Sequence, residues 1–149
     1  MPLHGEYAPG SFQLSAEQVA AFEADDGRGD TGLNPAGAPI VIMTSVGART
    51  GKLRKSALMR VEHNGDYAVV ASLGGAPRNP AWYFNLKANP HVELQDGARK
   101  HDYRAREVEG DEYRRWWERA VAIWPDYGDY QAKTERKLPI FVLQRMTDV

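Results

Sequence analysis

Five cations and no acid fall within the run Gly47–Arg60, GARTGKLRKSALMR: Arg49, Lys52, Arg54, Lys55 and Arg60. Arginine presents a planar fork of donors and lysine a mobile point charge, and both suit phosphate or carboxylate oxygens. Thr50-Gly51 permits a tight turn whose amides would form an anion-binding nest, and Ser56 adds a hydroxyl. On charge alone, the run reads equally well as a solvated hairpin tip. A second run, Ser72–Pro90, SLGGAPRNPAWYFNLKANP, follows about twenty residues later. Its Gly74-Gly75-Ala76-Pro77 turn has neither GxxxxGK nor GxGxxG spacing. A backbone this bare lets a ring system lie against the preceding strand, with Ser72 donating to a ring carbonyl. Taken alone, it is an ordinary strand-to-helix loop. In Trp82-Tyr83-Phe84-Asn85-Leu86, Asn85 is a polar group amid apolar neighbours. Trp124, Tyr127 and Tyr130 recur at intervals of three and would wall one side of a flat pocket. Tyrosine hydroxyls there suit a carbonyl or nitro oxygen that gains charge on reduction, with core packing the competing reading.

Other chemistries find little support. There is no cysteine, which excludes disulfides, thiolate metal sites and Cys nucleophiles, and a reducing cytoplasm suits that usage. His4, His63, His91 and His101 lack metal-ligand spacing, and no GxSxG motif occurs. Lys133–Lys137, KTERK, reads as a solvated helix face. A chain this poor in acid–base and nucleophilic groups calls for a cofactor to carry its reaction. Its 19 basic and 20 acidic residues give a formal charge of −1. Residues 1–40 hold six Asp or Glu against one Arg. A local basic run in a near-neutral chain points to a small anionic ligand, and the broad basic face that nucleic acid needs is missing. The opening residues MPLHGEYAPGSFQL lack a basic stretch followed by an apolar one, so a secretory signal is not expected, and no apolar run approaches the roughly 20 residues of a membrane span.

The elements that must position these residues are marked by their own boundaries. Ser15 caps a first helix with Gln18 three residues on, and Leu14 and Val19 occupy the staple positions. That helix is expected to run to about Asp25, with Gly27–Pro39 as a loop or arm. Strands are expected at Ile40–Thr44, Ala57–His63, Tyr67–Ser72, His91–Leu94, Lys100–Val108 and Ile140–Arg145. Asn64-Gly65 and Asp96-Gly97 supply hairpin turns. Pro80 opens a short helix, and Asp111 caps a longer one that ends before Pro125. Tyr113, Trp116, Trp117, Ala120, Val121 and Trp124 follow helical spacing along it. Short strands this close together leave no room for helical crossovers. The expected class is therefore α+β, an antiparallel barrel with a few flanking helices, in a single domain of residues 1–149.

Taken together, GxxTGKxRK, SxGGxPxxPxWYxNLxANPxVxL and the C-terminal aromatic triad resemble the deazaflavin-dependent nitroreductase and quinone reductase family. The resemblance covers Pro39 to Met146. It implies a flavin-reductase-like split β-barrel and a cofactor, coenzyme F-420 (an 8-hydroxy-5-deazaflavin), whose tail bears a phosphate and several glutamates. Carried over by position, it places Ala48, Arg49 and Thr50 along the cofactor's tail. Arg54, Lys55, Ser56, Ala57, Leu58 and Met59 follow along the tail and the ring edge. Val70, Ala71, Ser72 and Leu73 would contact the ring through backbone and the Ser72 side chain. Ala81, Trp82, Tyr83, Phe84 and Asn85 would meet phosphate or ring from the other side, where a helix N-terminus favours an anion. Tyr127 would reach both cofactor and substrate, with Trp124 and Tyr130 flanking the substrate.

The resemblance implies hydride transfer to a quinone or nitroaromatic acceptor, with Ser72, Tyr127 and Tyr130 as donors to its developing charge. The family often has Pro at Ala57, a basic residue at Leu73 and Tyr at Trp124, and the last two departures bear on substrate range. An FMN-binding split barrel and a non-catalytic deazaflavin carrier are the alternatives. The N-terminal helix reads as a lid or packing element, with weak peripheral membrane contact a secondary reading because its end is acidic. Relatives of this barrel are often dimers, while this branch is compatible with a monomer.

Overall fold

In the computed structural model the described residues are 39–72 and 79–146, with the backbone of Tyr7 and Ala8, and Glu23. The strands are β1 (Tyr7–Ala8), β2 (Ile40–Val46), β3 (Leu53–Met59), β4 (Val61–His63), β5 (Asp66–Val70), β6 (His91–Asp96), β7 (Arg99–Glu107) and β8 (Ile140–Arg145). The helices are α1 (Ala81–Ala88), α2 (Gly110–Ile123) and α3 (Asp126–Ala132). No described helix is long and apolar enough to cross a membrane. The expected Ser15–Asp25 helix lies outside the described residues apart from Glu23, and so do Leu73 and the Gly74–Pro77 turn.

The strands form one sheet in the order β1-β3-β2-β6-β7-β8-β5-β4, antiparallel except where β1 joins β3. Arg60 alone separates β3 from β4, yet those strands stand near opposite ends of the order. The sheet must therefore curl until its ends meet, which makes the split β-barrel. Its interior holds Val41, Met43, Tyr67, Val69, Leu94, Tyr103, Phe141 and Leu143, with Trp82 and Leu86 of α1 packed among them. Alternate residues of β5 and β8, among them Ala68, Val70, Ile140 and Val142, face outward beneath Trp116 and Ala120 of α2 and Tyr127 of α3. Burial on both faces explains the continuous apolar runs of these two strands. Each such large aliphatic or aromatic side chain contributes roughly 1.5–3 kcal/mol.

Local chemistry sets the turns. Asn64 (φ 54°) and Gly65 (φ 87°) both take left-handed dihedrals between β4 and β5, as a two-residue hairpin turn requires. Two expectations are corrected. The basic run is not one turn, because Leu53–Met59 is strand and only Gly47–Lys52 turns. Asp111 is not the cap of α2: Glu109 stands there, and Asp111 lies in the first turn, where the helix dipole favours its charge.

The barrel seam is tied at Asp96. Arg60 Nε donates to both of its carboxylate oxygens at 3.0 and 2.9 Å, and the Tyr67 hydroxyl donates to Oδ2 at 2.5 Å. Burial raises the pKa of Tyr67, and its bond to Asp96 adds to the shift. Burial likewise raises Tyr103 and Tyr127, and lifts Tyr113 to about 12. Below pH of about 10 these tyrosines are protonated in both the folded and the unfolded chain. Above it, the unfolded chain loses protons that the folded chain keeps. Stability is therefore expected to fall as pH rises past about 10, by up to ~1.4 kcal/mol per pH unit for each tyrosine. Urea midpoints measured at about pH 8 and about pH 11 check this, and equal midpoints would refute it.

Candidate functional site

The turn at the start of β3 is built by its own hydrogen bonds. Gly47 N–H donates to Lys52 O at 2.8 Å and Gly51 N–H to Gly47 O at 2.9 Å. Lys52 N–H reaches Thr50 Oγ1 at 3.2 Å, and Ala48 N–H reaches Asn85 Oδ1 at 2.9 Å. Gly51 sits at φ 71°, where a side chain is strained, and a Cβ on Gly47 would crowd Lys52 O and Thr50 Oγ1 at 3.1 Å. Four amides are thus committed to protein acceptors, and the expected nest does not form from them. What the turn offers a ligand is side-chain charge, from exposed Arg49 and Lys52.

Strand alternation then divides the residues that follow. Leu58, Ser56 and Arg54 stand opposite Val41, Met43 and Ser45 on one face of the sheet. Met59, Ala57 and Lys55 stand opposite Ile40, Ile42 and Thr44 on the other. One flat ligand meets one row by side chains, so Arg54–Met59 do not all face it. Lys55 forms an ion pair with Glu23. Arg60 lies at the far end of β3 on Asp96, outside the cationic patch to which its spacing assigned it.

The end of β5 is also committed. Val70 and Ala71 are core residues. Ala71 N–H donates to Pro139 O and Ser72 N–H to Val70 O, at 2.8 and 2.9 Å. Both of their carbonyls accept from the Arg136 guanidinium, at 3.0 and 2.9 Å. The backbone polar groups expected to face a ring are thus in use within the protein. The Ser72 hydroxyl is the polar group left there, with no partner among the described residues. Arg136 belongs to the KTERK stretch read as solvent-facing. It lies 64 positions from Ser72, and no local pattern marks it.

In α1, the Trp82 side chain turns into the barrel against Phe141, ring centroids 6.3 Å apart. Asn85 is 7% exposed, its carbonyl on Ala48 N–H and its Nδ2 3.5 Å from Ser45 Oγ. It braces the turn. Ala81 and Phe84 are exposed, Phe84 by 55%, and Tyr83 stands edge-on between Phe84 and Phe141.

The three C-terminal aromatics do come together. Trp124 ends α2, and Pro125 redirects the chain into α3, which carries Tyr127 and Tyr130. Trp124 Nε1 donates to the Tyr130 hydroxyl at 3.4 Å, and the rings of Tyr127 and Tyr130 meet edge-on at 6.1 Å. Tyr127 is 5% exposed, and its hydroxyl has no hydrogen-bond partner among the described residues. Burial holds its pKa well above the ordinary tyrosine range, so it stays protonated. Met59 packs against the same cluster. The row Lys55–Ala57–Met59, about 13 Å long, therefore links the basic turn to the aromatic triad.

A family model described as F420H(2)-dependent quinone reductase matches residues 14–145. The chain belongs to that family. An F420H(2)-dependent quinone reductase of Mycobacterium tuberculosis (strain H37Rv) is 36% identical over 114 residues, spanning 74% of this chain and 76% of the relative. Among solved structures, an F420-H2 dependent reductase (FDR-A) is 53% identical with a TM-score of 0.68, covering 71% of this chain and 94% of that one. Another, described as a domain-swapped dimer, is 46% identical with a TM-score of 0.71, covering 86% of this chain and 96% of that one.

The family's cofactor is reduced coenzyme F-420, and the residues present suit it. The exposed cations of the turn suit an anionic tail, and the aromatic triad, with a Tyr127 hydroxyl that has no partner among the described residues, suits flat rings. This F420H(2)-dependent quinone reductase family member should be sensitive to Asn85. Asn85→Leu removes the acceptor of Ala48 N–H, and is expected to weaken F-420 binding and cost about 1–2 kcal/mol of stability. A fluorescence titration and a melting curve check both, and an unchanged Kd would mean that the turn holds its own shape.

Proposed function

We propose that the chain reduces quinones, with the acceptor seated against Trp124, Tyr127 and Tyr130 and the F-420 tail held by the basic turn and the start of β3. The Tyr127 side chain carries this reading: its ring is buried beside two further aromatics, while its protonated hydroxyl has no partner among the described residues and is not sealed inside the fold. When bound, the reduced cofactor supplies the hydride. The chain supplies the rest. Tyr127 donates to the acceptor oxygen as it gains charge, and aromatic walls fix the acceptor ring and exclude water. Ser72 is the second donor, at the end of β5. A nitroaromatic ring fits the same arrangement, since its nitro oxygens also gain charge.

Purified protein titrated with oxidised F-420 and with FMN, followed by fluorescence, tests the reading. F-420 should bind, and its reduced form should be oxidised by menadione. Binding of FMN alone would overturn the reading, and F-420 binding without turnover would make the chain a carrier. Arg54→Ala with Lys55→Ala is expected to raise the F-420 Kd by about tenfold at low ionic strength and by less at high. Arg60→Ala should leave that Kd unchanged, because Arg60 lies past the far end of β3 from the basic turn, on Asp96. An equal loss in both variants would place the tail elsewhere.

A further inference from the structure

Arg136 lies between α3 and β8 and, among the described residues, its guanidinium joins three acceptors on two other stretches of chain. Its Nη1 donates to Ala71 O at 3.0 Å and to Asn79 Oδ1 at 2.7 Å, and its Nη2 to Ser72 O at 2.9 Å. Its own backbone is held in turn. Gln131 of α3 donates Nε2 to Arg136 O at 2.8 Å and accepts Leu138 N–H on Oε1 at 3.0 Å. Gln131 directly follows Tyr130 in the chain. One guanidinium and one amide thus tie the end of β5 to the helix that carries Tyr127 and Tyr130.

We propose that Arg136 is a positioning residue, which acts through Ser72 to hold that side chain at a set place relative to Tyr127 and Tyr130. The inference rests on the functional reading above, in which Ser72 and Tyr127 are donors to one bound pair of molecules and Tyr130 walls the acceptor. The planar guanidinium directs its N–H groups along fixed lines in one plane, so it serves acceptors on two segments at once. A lysine ammonium is a compact point charge and does not reproduce that fork. Because Ser72 N–H and C=O are both engaged, the orientation of the peptide sets where its hydroxyl lies. A displacement of about 1 Å at such a position costs on the order of 100-fold in rate.

The test uses Arg136→Ala, Arg136→Lys, Ser72→Ala and the Arg136→Ala/Ser72→Ala double variant. Each is measured for F-420 Kd, for kcat and KM with menadione, and for melting temperature. Arg136→Ala is expected to lower kcat/KM by about 100-fold. Guanidinium ion below denaturing concentration should restore part of the loss, and Arg136→Lys should not. Ser72→Ala should cost less in the Arg136→Ala background than in the parent, because the two residues act together. Full activity in Arg136→Ala, or an equal Ser72→Ala penalty in both backgrounds, overturns the proposal. Should Arg136→Ala not fold, Gln131→Ala takes its place in the same cycle.

A parent protein that neither binds F-420 nor oxidises its reduced form sinks the functional reading instead. Amide hydrogen exchange then decides on the brace alone. Arg136→Ala should speed exchange in peptides containing Ser72 and Tyr130 and spare the β6–β7 hairpin, and uniform acceleration overturns it.

Discussion

Tyr127→Phe is expected to lower turnover with menadione by about two orders of magnitude while leaving the protein as stable as before. The two halves of that result have one cause. The hydroxyl has no partner among the described residues, so its removal breaks no bond within the fold. What is lost is a neutral donor beside the acceptor, kept protonated by burial. Because that pKa lies above the working range, Tyr127 should contribute no ionisation to the rate profile below pH of about 10. Tyr130→Phe is the control. It removes the acceptor of a 3.4 Å contact from Trp124, a weak hydrogen bond, and its effect on stability should be small. Steady-state kinetics, an F-420 titration and a melting curve on the two variants settle the assignment. Unchanged turnover in Tyr127→Phe would pass the donor role to Tyr130 or water. A collapse of F-420 affinity would make Tyr127 part of the cofactor wall.

Asp96→Ala should produce the largest loss of stability. It strips the Tyr67 hydroxyl of its 2.5 Å acceptor in a residue only 9% exposed, and it leaves Arg60 unpaired at the junction that closes the barrel. An unsatisfied buried hydroxyl costs roughly 1–3 kcal/mol. The Arg60 pair is 38% and 24% exposed, so water discounts it to about 1 kcal/mol or less. Together these lower the melting temperature by roughly 10 °C for a chain of this size. Asp96→Asn keeps one acceptor oxygen and should lose about half as much. F-420 affinity measured at low temperature should hold in both variants, since Asp96 lies at the opposite end of β3 from the basic turn. A melting temperature unmoved by Asp96→Ala would show that the seam is held by apolar contact alone.

What was legible in the sequence was local. The apolar run Ile140–Arg145 marked β8 to its boundaries, Pro80 marked the start of α1, and Asn64-Gly65 marked a turn that only left-handed dihedrals can make. The apolar spacing of α2 identified its buried face. The same habit of local reading misassigned the charges. Counting cations across Gly47–Arg60 merged a turn, a strand and a seam residue into one patch. The resemblance sets Trp82 and Asn85 along the cofactor, yet their side chains turn into the fold; the sequence does not say which side of an eight-residue helix meets the barrel. Arg136 was given to solvent, since its acceptors lie 57 to 65 positions away.

By itself, then, the sequence determined the order and type of most elements, the motifs that carry the family, and the stock of donors and aromatics from which a site is made. Backbone dihedral preferences and hydrophobic period act over a few residues, so they can be read there. The tertiary structure decided which of those groups remain available to a ligand. Charge pairing and hydrogen bonding depend on distance in space, and folding alone brings Arg60 to Asp96, Asn85 to Ala48 and Arg136 to Ser72. It also buries the Tyr127 ring while leaving its hydroxyl with no partner among the described residues.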